Sequence, residues 1–296
     1  WYPVPDAFDY YIDVATDPEF KNLVKFGEPT YGATTYTVNG LSKGTVYYYK
    51  VTVKTNNDDW GRQYAHTATK LTPPGNAFAF DGATYIDAND VTKYEFSGTT
   101  IETWVKFDPD HVDSKWALWA CNPSNGTNNY TLFNESKDGI YTLTMSQYDN
   151  GYVSDYFENI TFEGDTWYHI AVVIDKDSDY GELFLNGESE GTFTPLEYPY
   201  PYGSYFSIGQ EYDGADGTSP SDYLNGEVDE FRIWSKPLSQ AEIQANMYNT
   251  LTGNEADLVT YYNFDLQTGS KVVDNAKNID GEVVGTADWV VSTAAL

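Results

Sequence analysis

The sequence predicts an all-β protein of antiparallel sheets carrying one short helix, and three observations predict it. Apolar and polar residues alternate in short runs along most of the chain, the period-two pattern of strands with one buried face. Clusters of Gly, Pro, Asn and Asp break these runs at short intervals, as in a sandwich of hairpins rather than in βαβ units. A single segment, PLSQAEIQANMYN, carries helix-start signals.

The elements follow in chain order. YYIDVA (10–15), TTYTVNGL (34–41) and TVYYYKVTVKT (45–55) read as strands of a first module, residues 1–71. LTPPGN (71–76) marks a linker at 72–76, because Pro and Gly interrupt both helix and strand. A second series fills 77–296. Its strands are FAFDGATYIDA (78–88), GTTIETWVKF (98–107), YTLTMSQY (141–148), TWYHIAVVIDK (166–176), GELFLNGES (181–189), SYFSIGQ (204–210) and NGEVDEFRIW (225–234). The helix is expected over 240–249, with Ser239 and Glu242 at capping-box spacing and Leu238 and Ile243 at hydrophobic-staple spacing. DLVTYYNFD (257–265) and GEVVGTADWV (281–290) supply further strands.

Composition narrows the function classes. Sixteen Lys and Arg against 45 Asp and Glu give a net charge of −29. That charge opposes nucleic acid, which needs clustered cations, and opposes an anionic membrane surface equally. No apolar run is long enough to insert into a bilayer. The single cysteine, Cys121, cannot close an intrachain disulfide, and no Cys/His cluster has zinc-site spacing. The fold therefore rests on packing, to which 27 Tyr and 8 Trp bring large buriable surfaces. Acidity, Asn-rich loops and 14 Lys to 2 Arg suit an extracellular protein kept soluble by self-repulsion. The sequence opens on Trp1 in strand-like text, so an export signal is expected to have been removed or to lie upstream.

Two resemblances sharpen this reading. GLSKGTVYYYKV (40–51) resembles the fibronectin type III signature in which Leu41 precedes a corner tyrosine, Tyr47. PVPDAFDYYIDVATDPEF (3–20) is similar to the bacterial form of that module. The resemblance starts late, which implies a truncated sandwich whose first strands precede Trp1 or are supplied by a neighbouring domain or a second copy through strand addition. Farther on, FAFDG…YIDA, TIETWVKF, WYHIAVVID…GELFLNG, IGQ…YLNGEVDEFRIWSKPLSQAEI and LVTYYNF together resemble the laminin G-like, concanavalin A-like jelly roll of bacterial surface proteins. The resemblance covers 75 to about 265, with a C-terminal extension. It implies a two-sheet antiparallel sandwich, often with structural calcium and often glycan-binding, without implying catalysis. The module order is similar to that of large surface adhesins of Bacteroidota.

Candidate chemistry is sparse. Strict alternation in GEVDEFRIW would set Asp229, Phe231 and Ile233 on one face, so a core-facing Asp229 would need a metal or several donors. With Asp81 in the FDG turn it forms the expected Ca2+ site, to which the loop QEYDGADGTSPSD adds Asp213 and Asp216, with Asp222 near them; that loop lacks EF-hand spacing and reads equally as a solvated acidic loop. Both acids also have a bland role, Asp81 capping its turn and Asp229 accepting backbone donors. Glu102 is expected to bridge Arg232 between strands. A jelly-roll glycosidase needs a second carboxylate after Glu227 and Asp229, where Phe231 and Arg232 stand instead. No Gly-x-Ser-x-Gly, His-Glu-x-x-His or phosphate loop occurs, and His66, His111 and His169 stand apart, so no enzyme is expected.

Aromatic residues are the better lead for a ligand. In EYPYPYGSYF, Tyr198, Tyr200 and Tyr202 alternate with prolines that hold the backbone extended, a candidate platform for sugar rings. Tyr148, Tyr152 and Tyr156 around DNG, with Trp116 and Trp119, form other groups. The expected function is non-catalytic adhesion or carbohydrate binding by a calcium-stabilised extracellular region, with a glycan or cell-surface polysaccharide as partner. Two alternatives stay open: the binding module of a secreted polysaccharide-degrading enzyme, and a structural spacer or filament subunit.

Overall fold

A computed structural model describes residues 7–17, 20–38, 47–55, 62–64, 75–93, 98–123, 129–137, 140–148, 151–157, 160–196, 204–213, 217–266 and 269–294. The chain divides into two compact units, 1–74 and 75–295.

The first unit holds β1 (Ala7–Ala15), β2 (Leu23–Pro29), β3 (Tyr48–Thr55) and β4 (Arg62–Tyr64), in the sheet order β2-β1-β3-β4. Alternation sends Tyr10, Ile12 and Val14 of β1 to the face shared by Val51 and Val53 of β3. Those residues and Tyr47 are the unit's core, and Tyr36 and Val38 pack against it. The strand expected over 34–41 does not form across 34–38, where the chain runs irregularly; 39–41, with Leu41, lies outside the described residues. The sheet uses β2 in its place. The text LVKFGEP hides that strand because Gly27, at φ +63°, sits where the register with β1 slips, breaking the alternation.

The second unit begins with β5 (Asn76–Asp81), β6 (Tyr85–Asp87), β7 (Gly98–Phe107), β8 (Trp116–Pro123), β9 (Asn129–Lys137) and β10 (Ile140–Tyr148). It continues through β11 (Tyr152–Phe157), β12 (Trp167–Asp175), β13 (Tyr180–Leu185), β14 (Glu188–Phe193), β15 (Ser204–Ile208), β16 (Glu211–Tyr212) and β17 (Pro220–Ser221). β18 (Asn225–Trp234), α1 (Gln240–Asn246), β19 (Leu258–Tyr262), β20 (Lys271–Val272), β21 (Gly281–Val284) and β22 (Trp289–Val291) complete it. Two antiparallel sheets result, as the sequence predicts. One, called here the helix-bearing sheet, runs β14-β13-β12-β7-β18-β5-β22 with β19 on β18; the opposite sheet runs β11-β10-β9-β8-β15-β6-β21-β20. Phe78, Ile101, Val105 and Phe107 meet Trp116, Trp119, Leu132, Leu143 and Phe206 in the core between them. Among the described residues no helix is long and apolar enough to cross a membrane.

The capping box forms at Ser239 and Glu242. Leu238 and Ile243 bury together with Phe184, Trp234 and Leu258 on the outer face of the helix-bearing sheet. The helix stops at Asn246, short of the expected 249, and the sheet supplies the reason. Trp104 Nε1 donates to the carbonyl of Met247 at 2.7 Å, and Arg232 donates to those of Asn246 and Asn249 at 3.0 and 2.6 Å. Side chains rising from the strands thus take carbonyls at and just beyond the helix end.

Candidate functional site

Asp81 and Asp229 of the expected calcium set are not brought together. β18 carries a bulge between Asp229 and Arg232, with Glu230 at φ +52°. The extra residue inverts parity, so Phe231 and Ile233 enter the core while Asp229 lies on the other face, opposite Trp104 of β7. The placement of Asp229 on the Phe231 face is therefore corrected. Asp229 Oδ1 accepts from the Glu230 N–H at 2.8 Å, and burial, with Glu230 adding to it, holds its carboxyl well above the usual carboxylate range. Asp81 pairs with Asn225, four residues along β18, and its Oδ1 accepts from the Ala83 N–H at 3.0 Å. The two carboxylates do not fit a shared ion, since strand geometry separates them by about 13 Å. Asp213 is exposed at the end of β16, and Asp216 lies outside the described residues. Among the described residues no three His, Cys, Asp or Glu side chains converge to hold a metal.

Two of the expected aromatic residues are interior. Trp116 is 1% exposed and stacks on Phe107 at 4.5 Å inside the sandwich, so it cannot line a ligand surface; Trp119 is also interior. Tyr152 sits on β11 opposite Tyr148. Tyr198, Tyr200 and Tyr202 lie outside the described residues.

A buried ionic group does form beneath α1. Arg232 bonds Glu230 at 2.5 Å and Glu102 at 3.4 Å, giving the expected Glu102 bridge, and His169 Nε2 lies 3.4 Å from Glu102 Oε2. Tyr261 donates to Glu230 at 2.8 Å and Trp234 Nε1 to Glu102 at 3.0 Å. Burial opposes ionisation of Glu102, but His169 and Arg232 outweigh it and hold its carboxyl low. Every member is enclosed, so the group fixes α1 and the turn after it and offers nothing to a ligand. A shallow cleft of about 180 Å³ lined by Lys106, Asp108, Asp165, Asn225 and Glu227 is smaller than a typical ligand pocket of roughly 300 Å³ or more.

The outer face of the opposite sheet carries a different population. Ile86, Phe206 and Ile208 face the core, so alternation turns Tyr85, Asp87, Tyr205 and Ser207 outward. Register then sets Ser207, Asp87 and Glu282 side by side across β15, β6 and β21, with Tyr205 opposite Asn122 of β8. The β16–β17 hairpin adds Tyr212, and the return to β18 adds Tyr223. Tyr212 is the hub. Its ring lies edge-on to Tyr85 and to Tyr205, each at 6.0 Å, and Tyr223 lies 6.3 Å from Tyr85. The Tyr212 hydroxyl donates to that of Tyr85 at 3.3 Å. Tyr85, Tyr205 and Tyr223 are partly exposed around the buried Tyr212. Gly217, at φ +69°, brings its loop onto the Tyr205 ring, where a Cβ would come within 2.6 Å.

Polar groups border the rings. Asn122 Nδ2 donates to the Tyr212 carbonyl at 3.1 Å, leaving its Oδ1 buried without a partner. Glu211 Oε1 accepts from Ser221 at 3.2 Å; burial first, then Asp213 and Asp222, push its carboxyl up to about 7, against the pull of Ser221 and Lys115. Burial also raises Asp87, helped by Glu282 and Asp90 and opposed by the Asn89 N–H. Partly exposed rings beside hydrogen-bonding groups can stack on an apolar ring face while accepting from its hydroxyls. None of these tyrosines is singled out by the sequence. The outward parity of Tyr85 and Tyr205 is legible there, but the pairing of β6 with β15 is not.

Comparison with known proteins agrees with this architecture. A protein from Bacteroides ovatus ATCC 8483, provisionally described as carbohydrate binding, superposes with a TM-score of 0.59 at 16% identity, over 98% of this chain and 90% of that one. The native heptameric SAP-like pentraxin from Limulus polyphemus superposes with a TM-score of 0.51 at 16% identity, over 75% of this chain and 98% of that one. No curated protein matches the sequence. The Laminin_G_3 family, described as the concanavalin A-like lectin/glucanases superfamily, matches residues 80–244, from β5 into α1. This match spans more than half of the sequence, and the chain belongs to that family.

Proposed function

We propose that the second unit is a non-catalytic glycan-binding module of an extracellular polypeptide, with Tyr85, Tyr205 and Tyr223 as its stacking surface. The observation that carries this reading is the tyrosine group on an outer sheet face, three rings partly exposed about Tyr212 and bordered by Asp87, Glu211 and Asn122. Acid–base chemistry finds no comparable support. Glu227 is tied to Lys106 at 2.8 Å, Asp229 is enclosed, and the bulge sends Phe231 into the core. The fold shared with a protein described as carbohydrate binding is consistent with the reading. The test is calorimetric titration of the chain with neutral and acidic oligosaccharides, repeated on Tyr85→Ala. Binding weakened at least about tenfold, with melting little changed, supports the site; unchanged binding rejects it.

A second reading has one observation in its favour. Edge strand β2 exposes Leu23, Val24 and Phe26, the last 74% exposed, which suits the spacer alternative with strand addition by a neighbour. Light scattering across a concentration series tests it, and a strict monomer throughout counts against self-assembly.

A further inference from the structure

We infer that the tyrosine face selects glycans without carboxylate, sulfate or phosphate groups. This rests on the glycan-binding reading above and adds the ligand class.

Carboxylates outnumber cations around the rings. Asp87 and Glu282 stand directly opposite one another on β6 and β21, a like-charge pair that costs a sheet stability, and they flank Tyr85 along its own face. On the other side of Tyr212 stand Glu211, Asp213 and Asp222. Each nearby cation stands beside a carboxylate of its own. Lys115 bridges Asp222 at 2.6 Å and lies over the Phe133 ring at 4.7 Å; Lys93 bridges Asp90 at 2.6 Å; Lys271 of β20, directly opposite Glu282 of β21, lies 3.7 Å from Asp280.

Anionic sugars are held by guanidinium forks or by ammonium groups free to turn toward them. The chain has two arginines. Arg62 belongs to the first unit, and Arg232 is 1% exposed beneath α1 on the other sheet. The second unit therefore presents no exposed guanidinium to a ligand on this face. A neutral sugar meets no such obstacle: its ring stacks on tyrosine and its hydroxyls donate to the carboxylates. The net charge of −29 adds a longer-range repulsion that salt screens.

The experiment pairs matched probes on the intact chain: lactose with sialyllactose, xylo-oligosaccharide with its glucuronic-acid-substituted form, and galactan with polygalacturonate. Each is titrated at low and high salt, on the natural protein and on Asp87→Asn with Glu282→Gln. Where a neutral probe binds, its acidic counterpart should bind at least about tenfold more weakly at low salt. The gap should narrow at high salt and in the double variant. Acidic probes bound as well as neutral ones overturn the selectivity while leaving glycan binding intact, as does a gap indifferent to both salt and the double variant. Absence of binding in both arms overturns the glycan-binding reading and the selectivity with it.

Discussion

Replacing Glu211 with Gln should make the protein more stable at alkaline pH and leave it nearly unchanged at mildly acidic pH. Glu211 is 8% exposed, between the tyrosine group and two further carboxylates, and its own carboxyl is pushed from 4.5 to about 7. In the unfolded chain it ionises near 4.5, so between 4.5 and 7 the folded state holds a proton that the unfolded state has released. Stability from this group is therefore present at low pH and declines as pH rises through that window, with no further loss above about 7. The difference between 4.5 and about 7 corresponds to about 3 kcal/mol at full strength. Solvent at the rim of the site screens part of it, and about 2 kcal/mol is expected. The Gln variant keeps the size of the side chain and an acceptor for Ser221 while removing the charge. Urea unfolding followed by tryptophan fluorescence at pH 5 and pH 8.5 reads the difference. Carboxylates remote from Glu211 are common to both proteins and cancel in the difference, so the pH-dependent part of the gap reports Glu211 together with the charges it faces. At pH 8.5 the variant should gain about 2 kcal/mol, a melting rise of roughly 4–8 °C; at pH 5 the gain should be below about 1 kcal/mol. Glu163→Gln, removing one charge from an exposed position, serves as control. A gain of equal size at both pH values, or the same gain from the control, would refute the assignment.

Two further substitutions probe the framework. Arg232→Met strands Glu102 and Glu230 in the interior and should cost about 3–5 kcal/mol, measured by urea unfolding; a loss below about 1 kcal/mol would show that water reaches the group. Gly226 has φ +153° and a Cβ there would lie 2.3 Å from the Lys106 carbonyl, so Gly226→Ala should cost about 2 kcal/mol or more, with retained melting as the contrary result.

Much of the second unit is legible residue by residue. GTTIETWVKF and NGEVDEFRIW form strands with the expected bounds, because β-branched and aromatic residues between turn signals favour a strand, although both are largely buried on both faces and β18 bulges. The capping box is equally local and forms as read. Local signals also fail in recognisable ways. WALWACNP (116–123) and NYTLFNESK (129–137) pass unnoticed as strands because both of their faces are largely buried, which erases the polar–apolar rhythm. The strand YVSDYF (152–157) could have been found from the Asn-Gly pair before it, a hairpin signal in the sequence, with Tyr148 and Tyr152 pairing across it.

By itself the sequence determined the all-β class, the sandwich, the position and cap of the single helix, and the pairing of Glu102 with Arg232. All but the Glu102–Arg232 pair depend on residues a few positions apart or on a single face of one strand; that pair spans 130 positions and stands out because the chain has two arginines. Tertiary structure decided the rest. One extra residue at the β18 bulge moved Asp229 off the core face, which no periodicity argument registers, because parity is defined only for an unbroken ladder. Trp116 proved to be core because only the packing of two sheets shows which aromatic rings are left outside. The tyrosine face depends on β6 lying between β15 and β21, strands distant in the chain. Rings from Tyr85, Tyr205, Tyr212 and Tyr223 meet through that non-local strand order, and contacts set by long-range pairing leave no spacing in the sequence to read.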